Sequence, residues 1–199
     1  IYRMTENGEK NLLTSYDIVH YAKSSGTMGN PKRIPTSSLN QEINIKYNFA
    51  YLFNLFAEKV GIDWIKYPFL NLTELSISTL PSGNTYGSIS GKLMGGFGDK
   101  ISEFTTSPIE ALMPDVGTNI RYINARFALV NPDVSFTITS FVSLFLEVLR
   151  FIKGNWELLV NDIEKGTIDE SIKMSAEVRE SLLGKIEPMP ERAKELRKI

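Results

Sequence analysis

The sequence contains no cysteine and a single histidine, His20. The missing thiols exclude disulfides, thiolate nucleophiles and cysteine metal sites from these 199 residues, and they agree with a reducing cytoplasm. Charge of one sign is also lacking, since the formal net charge is −1 and the pI is about 6.0. A basic surface for nucleic acid is therefore not indicated, and we expect no nucleic-acid partner.

Long apolar runs are missing as well. The most apolar stretch, "FVSLFLEVLRFI" at 141–152, contains Glu147 and Arg150 and is too short to cross a bilayer, so no membrane partner is expected. With 42% hydrophobic residues the chain can bury one core, which favours a single α/β region over residues 1–199. Because the first residue is Ile1, we expect a piece of a longer protein.

The order of patterns predicts an α/β fold with a mixed sheet flanked by helices. "DIVHYAK" at 17–23 predicts a strand that enters a Ser/Gly-rich loop, and "KRIP" predicts a strand that leaves it. Ser38 and Gln41 have the spacing of a capping box before a helix over about 39–59. The Gly/Ser/Thr-rich segment 64–96 predicts strands or a hairpin.

The part after residue 106 predicts mainly helices. Helix starts are indicated at Ser107, at Asp115 and, as a capping box, at Thr167 with Glu170. Single helices are expected over 141–163 and 188–199, and a strand over 134–140. In this scheme Asp162 is a solvated helix residue rather than a metal ligand.

The Ser/Gly-rich loop is the first candidate for chemistry. "AKSSGTMGNPKRIPTS", residues 22–37, combines hydroxyl side chains, glycines and Lys32. Glycines let backbone N–H groups approach an anion, hydroxyls donate to phosphate oxygens, and an ammonium neutralises phosphate charge. The spacing is neither that of a Walker A loop nor that of a dinucleotide fingerprint. On the tetrapeptide Ser-Ser-Gly-Thr at 24–27 alone, a solvent turn with a surface lysine is the better interpretation.

The longer string "YAKSSGTMGNPKRIP" resembles the first signature loop of adenylate-forming enzymes, except at Met28, where that superfamily prefers a hydroxyl residue. Further segments are similar to one branch of it, the auxin-responsive-promoter (GH-three) family of acyl-acid amido synthetases. They include "MTENGEKNLLT" at 4–14 and the run W-x-x-L-x-x-D-I-x-x-G at 156–166. The other similar segments are "TSPIEALMPD", "FALVNPD" and "PERAKELRKI".

The resemblance implies a ligase that uses ATP and Mg²⁺ to activate a carboxylic acid as an acyl-adenylate and then transfers it to an amino acid. It implies catalytic roles for Lys32 and Thr27 and no protein metal ligand in this segment. The residues implied to bind ATP phosphates are Ser24, Ser25, Gly26, Thr27, Gly29 and Lys32. The helix after the loop flanks the acyl site in this family, so Phe49 and Phe53 are candidate substrate contacts, although aromatics at helical spacing are more often core.

Other interpretations stay open. An acyl-CoA synthetase would perform the same first step with a thiol acceptor, and an inactive nucleotide-binding or interaction module is the non-enzymatic alternative. His20 lies four residues before the loop, and we expect it to be structural because a carboxylate substrate needs no general base. The second and third nucleotide signatures of the superfamily do not occur in the sequence. We therefore expect residues 1–199 to be a fragment of the large N-terminal domain, inactive alone and partnered by the rest of its own chain.

Overall fold

The computed structural model describes residues 1–24, 30–73, 77–96, 98–112 and 119–199, apart from the side chains of Phe49, Trp64, Ile65 and Asp99. The chain divides into two compact units. The first unit comprises Ile1–Trp64 and Leu75–Gly96, and the second comprises Ile65–Glu74 and Phe97–Ile199.

The secondary structure alternates short strands with helices. The strands are β1 (Ile18–Lys23), β2 (Arg33–Ser37), β3 (Leu70–Asn71), β4 (Ile77–Thr79), β5 (Thr85–Gly87) and β6 (Thr137–Ile138). The α-helices are α1 (Tyr2–Glu6), α2 (Ser38–Ile43), α3 (Ala50–Val60), α4 (Ile89–Gly95), α5 (Ile120–Val130), α6 (Val142–Gly154), α7 (Trp156–Lys165), α8 (Ala176–Leu183) and α9 (Pro190–Leu196). A π-helix spans Asn44–Phe49, and 3-10 helices span Asp63–Lys66, Gly98–Glu103 and Ile109–Leu112.

The first unit contains a mixed sheet in the order β2-β1-β5-β4. β1 pairs antiparallel with β2 and parallel with β5, and β4 pairs antiparallel with β5. A small apolar cluster of Met4, Tyr21 and Leu80, with Ile18 and Tyr86 against it, joins α1 to the sheet. β1 is thus held by neighbours on both edges, which makes it the anchor for the loop that follows it.

A long helix follows β2 directly. It consists of α2, the π-helix and α3, and we call it the 38–60 helix. Its N-cap is Ser37, whose hydroxyl accepts a hydrogen bond from the N–H of Asn40 at 3.1 Å. The expected cap at Ser38 is therefore wrong by one residue, because Ser37 has extended backbone angles (φ −79, ψ 160) and Ser38 is the first helical residue.

The second unit is mainly helical, with β3 and β6 paired in parallel. Its larger core contains Tyr122, Ile123, Val148, Leu159 and Leu182, and a second cluster joins α7 to α9. The single helix expected over 141–163 is wrong, because the chain leaves helical geometry at Asn155 (φ −128, ψ 28). The Phe151 carbonyl oxygen accepts hydrogen bonds there from the Asn155 N–H at 3.0 Å and from the Asn155 side-chain amide at 2.9 Å.

Three further local predictions differ from the structure. No helix begins at Thr167; the next helix, α8, starts at Ala176 and is capped by the Ser175 hydroxyl. Ser107 does not cap the following turn, since its hydroxyl donates to Asn124 Oδ1 at 2.6 Å. The segment 64–96, for which strands or a hairpin with a loose glycine-rich end are expected, also contains α4, capped by Ser88. The expected cap Asp115 lies outside the described residues.

Within the described parts of the chain, none of the helices has both the length and the apolar character that a bilayer crossing requires.

Candidate functional site

The Ser/Gly-rich stretch is carried by the hairpin of β1 and β2. The two strands stay paired up to Lys23 and Arg33. Beyond them, the Ser24 N–H donates to the Lys32 carbonyl oxygen at 3.1 Å, and the Lys32 N–H donates to Ser24 Oγ at 2.8 Å. Two of the predicted phosphate-binding residues, Ser24 and Lys32, are thereby held side by side at the end of the hairpin.

The other predicted loop residues cannot be placed in this way. Ser25, Gly26, Thr27, Met28 and Gly29 lie outside the described residues. Their contacts to phosphate, and the catalytic role of Thr27, stay predictions from the sequence.

Lys32 and Ser24 suit a phosphate chemically. Lys32 is exposed, and among the described residues no carboxylate lies within ion-pair distance of its ammonium. Ser24 Oγ accepts one hydrogen bond, so its own hydroxyl hydrogen remains available to a ligand oxygen. An ammonium without a carboxylate partner among the described residues and a hydroxyl donor, both at the paired end of the β1–β2 hairpin, suit the negatively charged oxygens of a polyphosphate.

Arg33, the residue next to Lys32, attaches the β1–β2 hairpin to α1. Neighbouring strand residues point to opposite faces, so Arg33 turns away from Lys32 towards α1. Its guanidinium donates to Thr5 Oγ1 at 2.9 Å, pairs with the Glu6 carboxylate, and lies 5.7 Å from the centre of the Tyr86 ring. The sequence reasoning missed this role. The sequence feature that could have indicated this role is a second cation directly after Lys32, at a position whose side chain points to the opposite face of the hairpin.

His20 fastens β1 to β5 and is fully buried. Its Nε2 lies 3.2 Å from the Gly87 carbonyl oxygen, which can only accept, so Nε2 carries the proton and Nδ1 accepts from the Thr85 hydroxyl at 2.9 Å. Burial lowers the pKa of His20 and outweighs the hydrogen bonds that favour the charged ring. His20 is thus a neutral strand-to-strand link, in agreement with the structural role expected for it.

The two aromatic candidates lie on the 38–60 helix. Phe53 belongs to α3 and is 37% exposed. Phe49 is the last residue of the π-helix, and its side chain lies outside the described part of the chain. Their contact with an acyl group stays a prediction.

Asp162 has an environment that the sequence reasoning did not anticipate. It is 5% exposed, not solvated. Oδ2 accepts from the Tyr122 hydroxyl at 2.5 Å and from the Asp169 N–H at 3.0 Å, while Oδ1 accepts from the Thr167 hydroxyl at 2.9 Å. Burial first, and the Asp162 carboxylate second, raise the pKa of Tyr122, which keeps it a donor. Asp162 therefore ties α7 to α5 and to the segment after α7.

The neighbouring motif residues are also structural. Gly166 ends α7 at φ +67, and a Cβ there would lie 2.6 Å from the backbone nitrogen of Pro188. Trp156 packs against the cluster that joins α7 to α9. The run W-x-x-L-x-x-D-I-x-x-G is thus explained by packing and chain reversal, since the contacts of Trp156, Asp162 and Gly166 all serve the fold.

A metal site is not formed by the side chains that can be placed. Across residues 1–24, 30–73, 77–96, 98–112 and 119–199, no three His, Asp or Glu side chains come together closely enough to hold an ion. We therefore derive no step through Mg²⁺.

The family comparison covers the whole chain. The model of the GH3 family N-terminal domain matches residues 1–199. The chain belongs to the GH3 family. The family expected from the loop and the later segments is therefore confirmed.

Solved structures agree with the fold of this GH3 chain. GH3.15 acyl acid amido synthetase matches with a TM-score of 0.78 at 21% identity, over 98% of this chain and 35% of that chain. AtGH3.15 acyl acid amido synthetase in complex with 2,4-DB matches with a TM-score of 0.71 at 22% identity, over 90% of this chain and 32% of that chain. The mixed sheet with flanking helices is confirmed. The GH3 chain spans about a third of the length of these solved relatives. Among curated protein sequences, none matches it significantly.

Proposed function

We propose that this GH3 chain contributes the first phosphate-binding loop of an ATP-dependent acid–amino acid ligase. The observation that carries the proposal is the Ser24–Lys32 pairing, which holds a hydroxyl and an exposed ammonium at the end of one hairpin. Family membership supports the same chemistry, because the solved GH3 relatives are acyl acid amido synthetases.

The proposed reaction has two steps. A carboxylate oxygen of the acid attacks the α-phosphorus of ATP; the new O–P bond forms as the bond to pyrophosphate breaks. The amine of an amino acid then attacks the acyl carbon, and the C–O bond to AMP breaks, which leaves an amide after loss of a proton. Lys32 acts in the first step by neutralising charge that accumulates on departing pyrophosphate. Ser24, and by the sequence prediction Ser25, Gly26, Thr27 and Gly29, donate to phosphate oxygens.

The substrates and partners are proposed in the same frame. The acid is a carboxylic acid whose apolar part lies near Phe49 and Phe53, and the acceptor is an amino acid. One solved relative is in complex with 2,4-DB, which supports an acid substrate. The remaining partner is the rest of this protein's own chain, and Mg²⁺ and the cytoplasm stay predictions from the resemblance.

The experiment uses the intact protein and two matched lysine variants. We expect Lys32→Ala to lower ATP–pyrophosphate exchange with a carboxylic acid by about 10²-fold, the usual loss for one electrostatic contact to a developing charge. Lys153→Ala, which removes an exposed lysine of α6, should leave exchange unchanged. Calorimetry on the same proteins measures whether ATP binding weakens in parallel.

The outcomes separate the alternatives. Undiminished exchange in Lys32→Ala contradicts the role of the hairpin. Product formation with CoA but not with an amino-acid mixture favours the thioester-forming enzyme. ATP binding without exchange for any acid favours the inactive nucleotide-binding module, and absence of ATP binding by the intact protein favours the interaction module.

A further inference from the structure

We propose that Lys92 of α4 binds the phosphate chain of ATP together with Lys32, one lysine on each side of β1. The inference rests on the proposed function, because it adds a second cation to the same ligand. The loop signature does not indicate this role, since Lys92 lies in another element, after β5.

The side chains at the end of the β1–β2 hairpin divide between the two faces of the sheet. Tyr21 and Tyr86 belong to the apolar cluster that includes α1, and the Arg33 guanidinium lies 5.7 Å from the centre of the Tyr86 ring. These residues therefore mark the face that carries α1. Ser24 is an odd number of positions from Tyr21, and Lys32 is one position from Arg33. Because strand side chains alternate, Ser24 and Lys32 belong to the other face.

The ends of β1 and β5 meet at one edge of this sheet. The two strands run parallel, with Ala22 opposite Gly87. β1 continues into the candidate phosphate loop, and β5 continues into α4, whose N-cap is Ser88. Ligands of open α/β sheets bind outside the carboxyl ends of the strands. The start of α4 therefore lies beside the start of the loop.

Lys92 lies on the same face of the sheet as Lys32. His20 and Ser24 are an even number of positions apart on β1, so they share this face. The pKa of His20 is lowered by burial first and also by the positive charge of Lys92, which places the ammonium near the ring. Helix side chains lean towards the N-terminus of their helix, so the Lys92 side chain is inclined towards Ser88 and the loop.

Lys92 is a cation without a counter-charge. It is half-buried, and among the described residues no carboxylate pairs with it. On the α1 side of the sheet, in contrast, Arg33 is paired with Glu6. A partly buried charge costs free energy unless an opposite charge compensates it. Lys32 and Lys92 also repel each other, and an anion bound to both removes that repulsion.

The spacing of the two lysines favours a phosphate chain over a single phosphate. Lys32 precedes β2, and Lys92 follows β5; these two strands lie on either side of β1. Neighbouring strands are separated by about 4.8 Å, so β2 and β5 are about 10 Å apart. A triphosphate carries negative charge along its length and can contact both lysines.

The test is calorimetry of ATP binding to the intact protein. Lys92→Met keeps the apolar length of the side chain and removes its charge. We expect the Kd for ATP to rise about tenfold or more, because one charge-assisted contact is lost. Lys92→Arg retains a cation that binds phosphate, so its Kd should stay within about threefold of the wild type. Lys10→Met, at an exposed lysine of the first unit, is the matched control and should not change the Kd.

The outcomes separate this inference from the proposed function. A Kd within about twofold of the wild type in Lys92→Met overturns the inference, and a weakened Lys32→Ala beside it leaves the proposed function standing. Equal losses in Lys92→Met and Lys92→Arg assign the effect to packing and also overturn the inference. Absence of ATP binding by the wild-type protein overturns both. A loss in Lys92→Met that Lys92→Arg and Lys10→Met do not share supports the inference.

A second measurement needs no variant and so does not depend on how a substituted protein folds. Acetic anhydride acetylates accessible lysines of the intact wild-type protein, and mass spectrometry gives the rate at each site with and without saturating ATP. We expect ATP to slow acetylation of Lys92 and Lys32 at least about fivefold and to leave Lys10 unchanged. Protection of Lys32 without protection of Lys92 overturns the inference.

Discussion

In the second unit, Leu159, Val160 and Ile163 of α7 are each 0% exposed, whereas α2 and α3 of the first unit bury no residue at all. The α3 helix is more apolar than α7, so a lack of apolar residues does not explain the difference. The helices α5, α7 and α9 contribute residues to the apolar cores, whereas among the described residues none of α2 or α3 belongs to a core cluster. Burial of a leucine side chain contributes about 2 kcal/mol, which the second unit gains within this chain.

The substitution that we expect to destabilise the second unit most is Gly166→Ala. The added Cβ would lie 2.6 Å from Pro188 N, and φ is +67, so backbone strain and overpacking combine to cost about 4 kcal/mol. Gly154→Ala is the control, because nothing lies within 4 Å of its Cβ position. Urea unfolding of the intact protein measures both, and equal stabilities would contradict the close approach.

The difference between α7 and the 38–60 helix can be tested directly by substituting one leucine in each. Leu159→Ala should cost about 3 kcal/mol in urea unfolding, because it empties a filled core position. If the 38–60 helix is enclosed in the intact protein, Leu55→Ala costs a similar amount. If the helix faces solvent there, Leu55→Ala stays within about 0.5 kcal/mol of the wild type.

Asp162→Ala sharpens the account of how the second unit is tied together. It leaves the Tyr122 hydroxyl, the Thr167 hydroxyl and the Asp169 N–H without their acceptor, for a cost of about 2–3 kcal/mol. Asp133→Ala, at an exposed loop position, should change stability by less than about 0.5 kcal/mol. Comparable losses in the two variants would show that the buried network is not the cause.

The smallest effect concerns the first unit and its histidine. Because burial lowers the pKa of folded His20, the unfolded chain takes up the proton first as the pH falls. This contribution to stability is complete above the unfolded value, about 6.5, and declines as the pH drops through it. The fall in unfolding free energy between pH 7.5 and 5.5 should be smaller in His20→Gln, measured by urea unfolding. An unchanged pH profile would contradict the buried, neutral ring.

Local patterns predicted the hairpin and the long helix well, because their signals lie within a few residues of each other. The strand ending at Lys23, the strand starting at Arg33 and the helix beginning at 38 are all set by alternation, turn residues and a serine cap. These are the features that periodicity reports.

The predicted helix starts were wrong where the side chain of the expected cap forms a hydrogen bond outside its own turn. Thr167 has the spacing of a capping box, but its hydroxyl donates to Asp162, five residues earlier across the turn at Gly166. Ser107 likewise donates to Asn124 on α5 instead of capping its own turn. A polar side chain with two possible hydrogen-bond partners bonds to the partner that is buried with it. The sequence does not show which partner that is.

The candidate site was predictable in part. Ser24 and Lys32 were selected by residue type and spacing, and the hairpin brings them together. The roles of Arg33 and His20 depend on which strand lies beside β1, which sequence spacing does not reveal.

The adjacent cations Lys32 and Arg33 restrict the register in which β2 can pair with β1. A slip of β2 by one residue against β1 would exchange their sides. The outward cation would then be an arginine, and a lysine would have to replace a planar guanidinium between Thr5, Glu6 and the Tyr86 ring, which its single ammonium cannot do. Only one alignment satisfies both residues, so the position of the lysine beside the loop is specified by its neighbour.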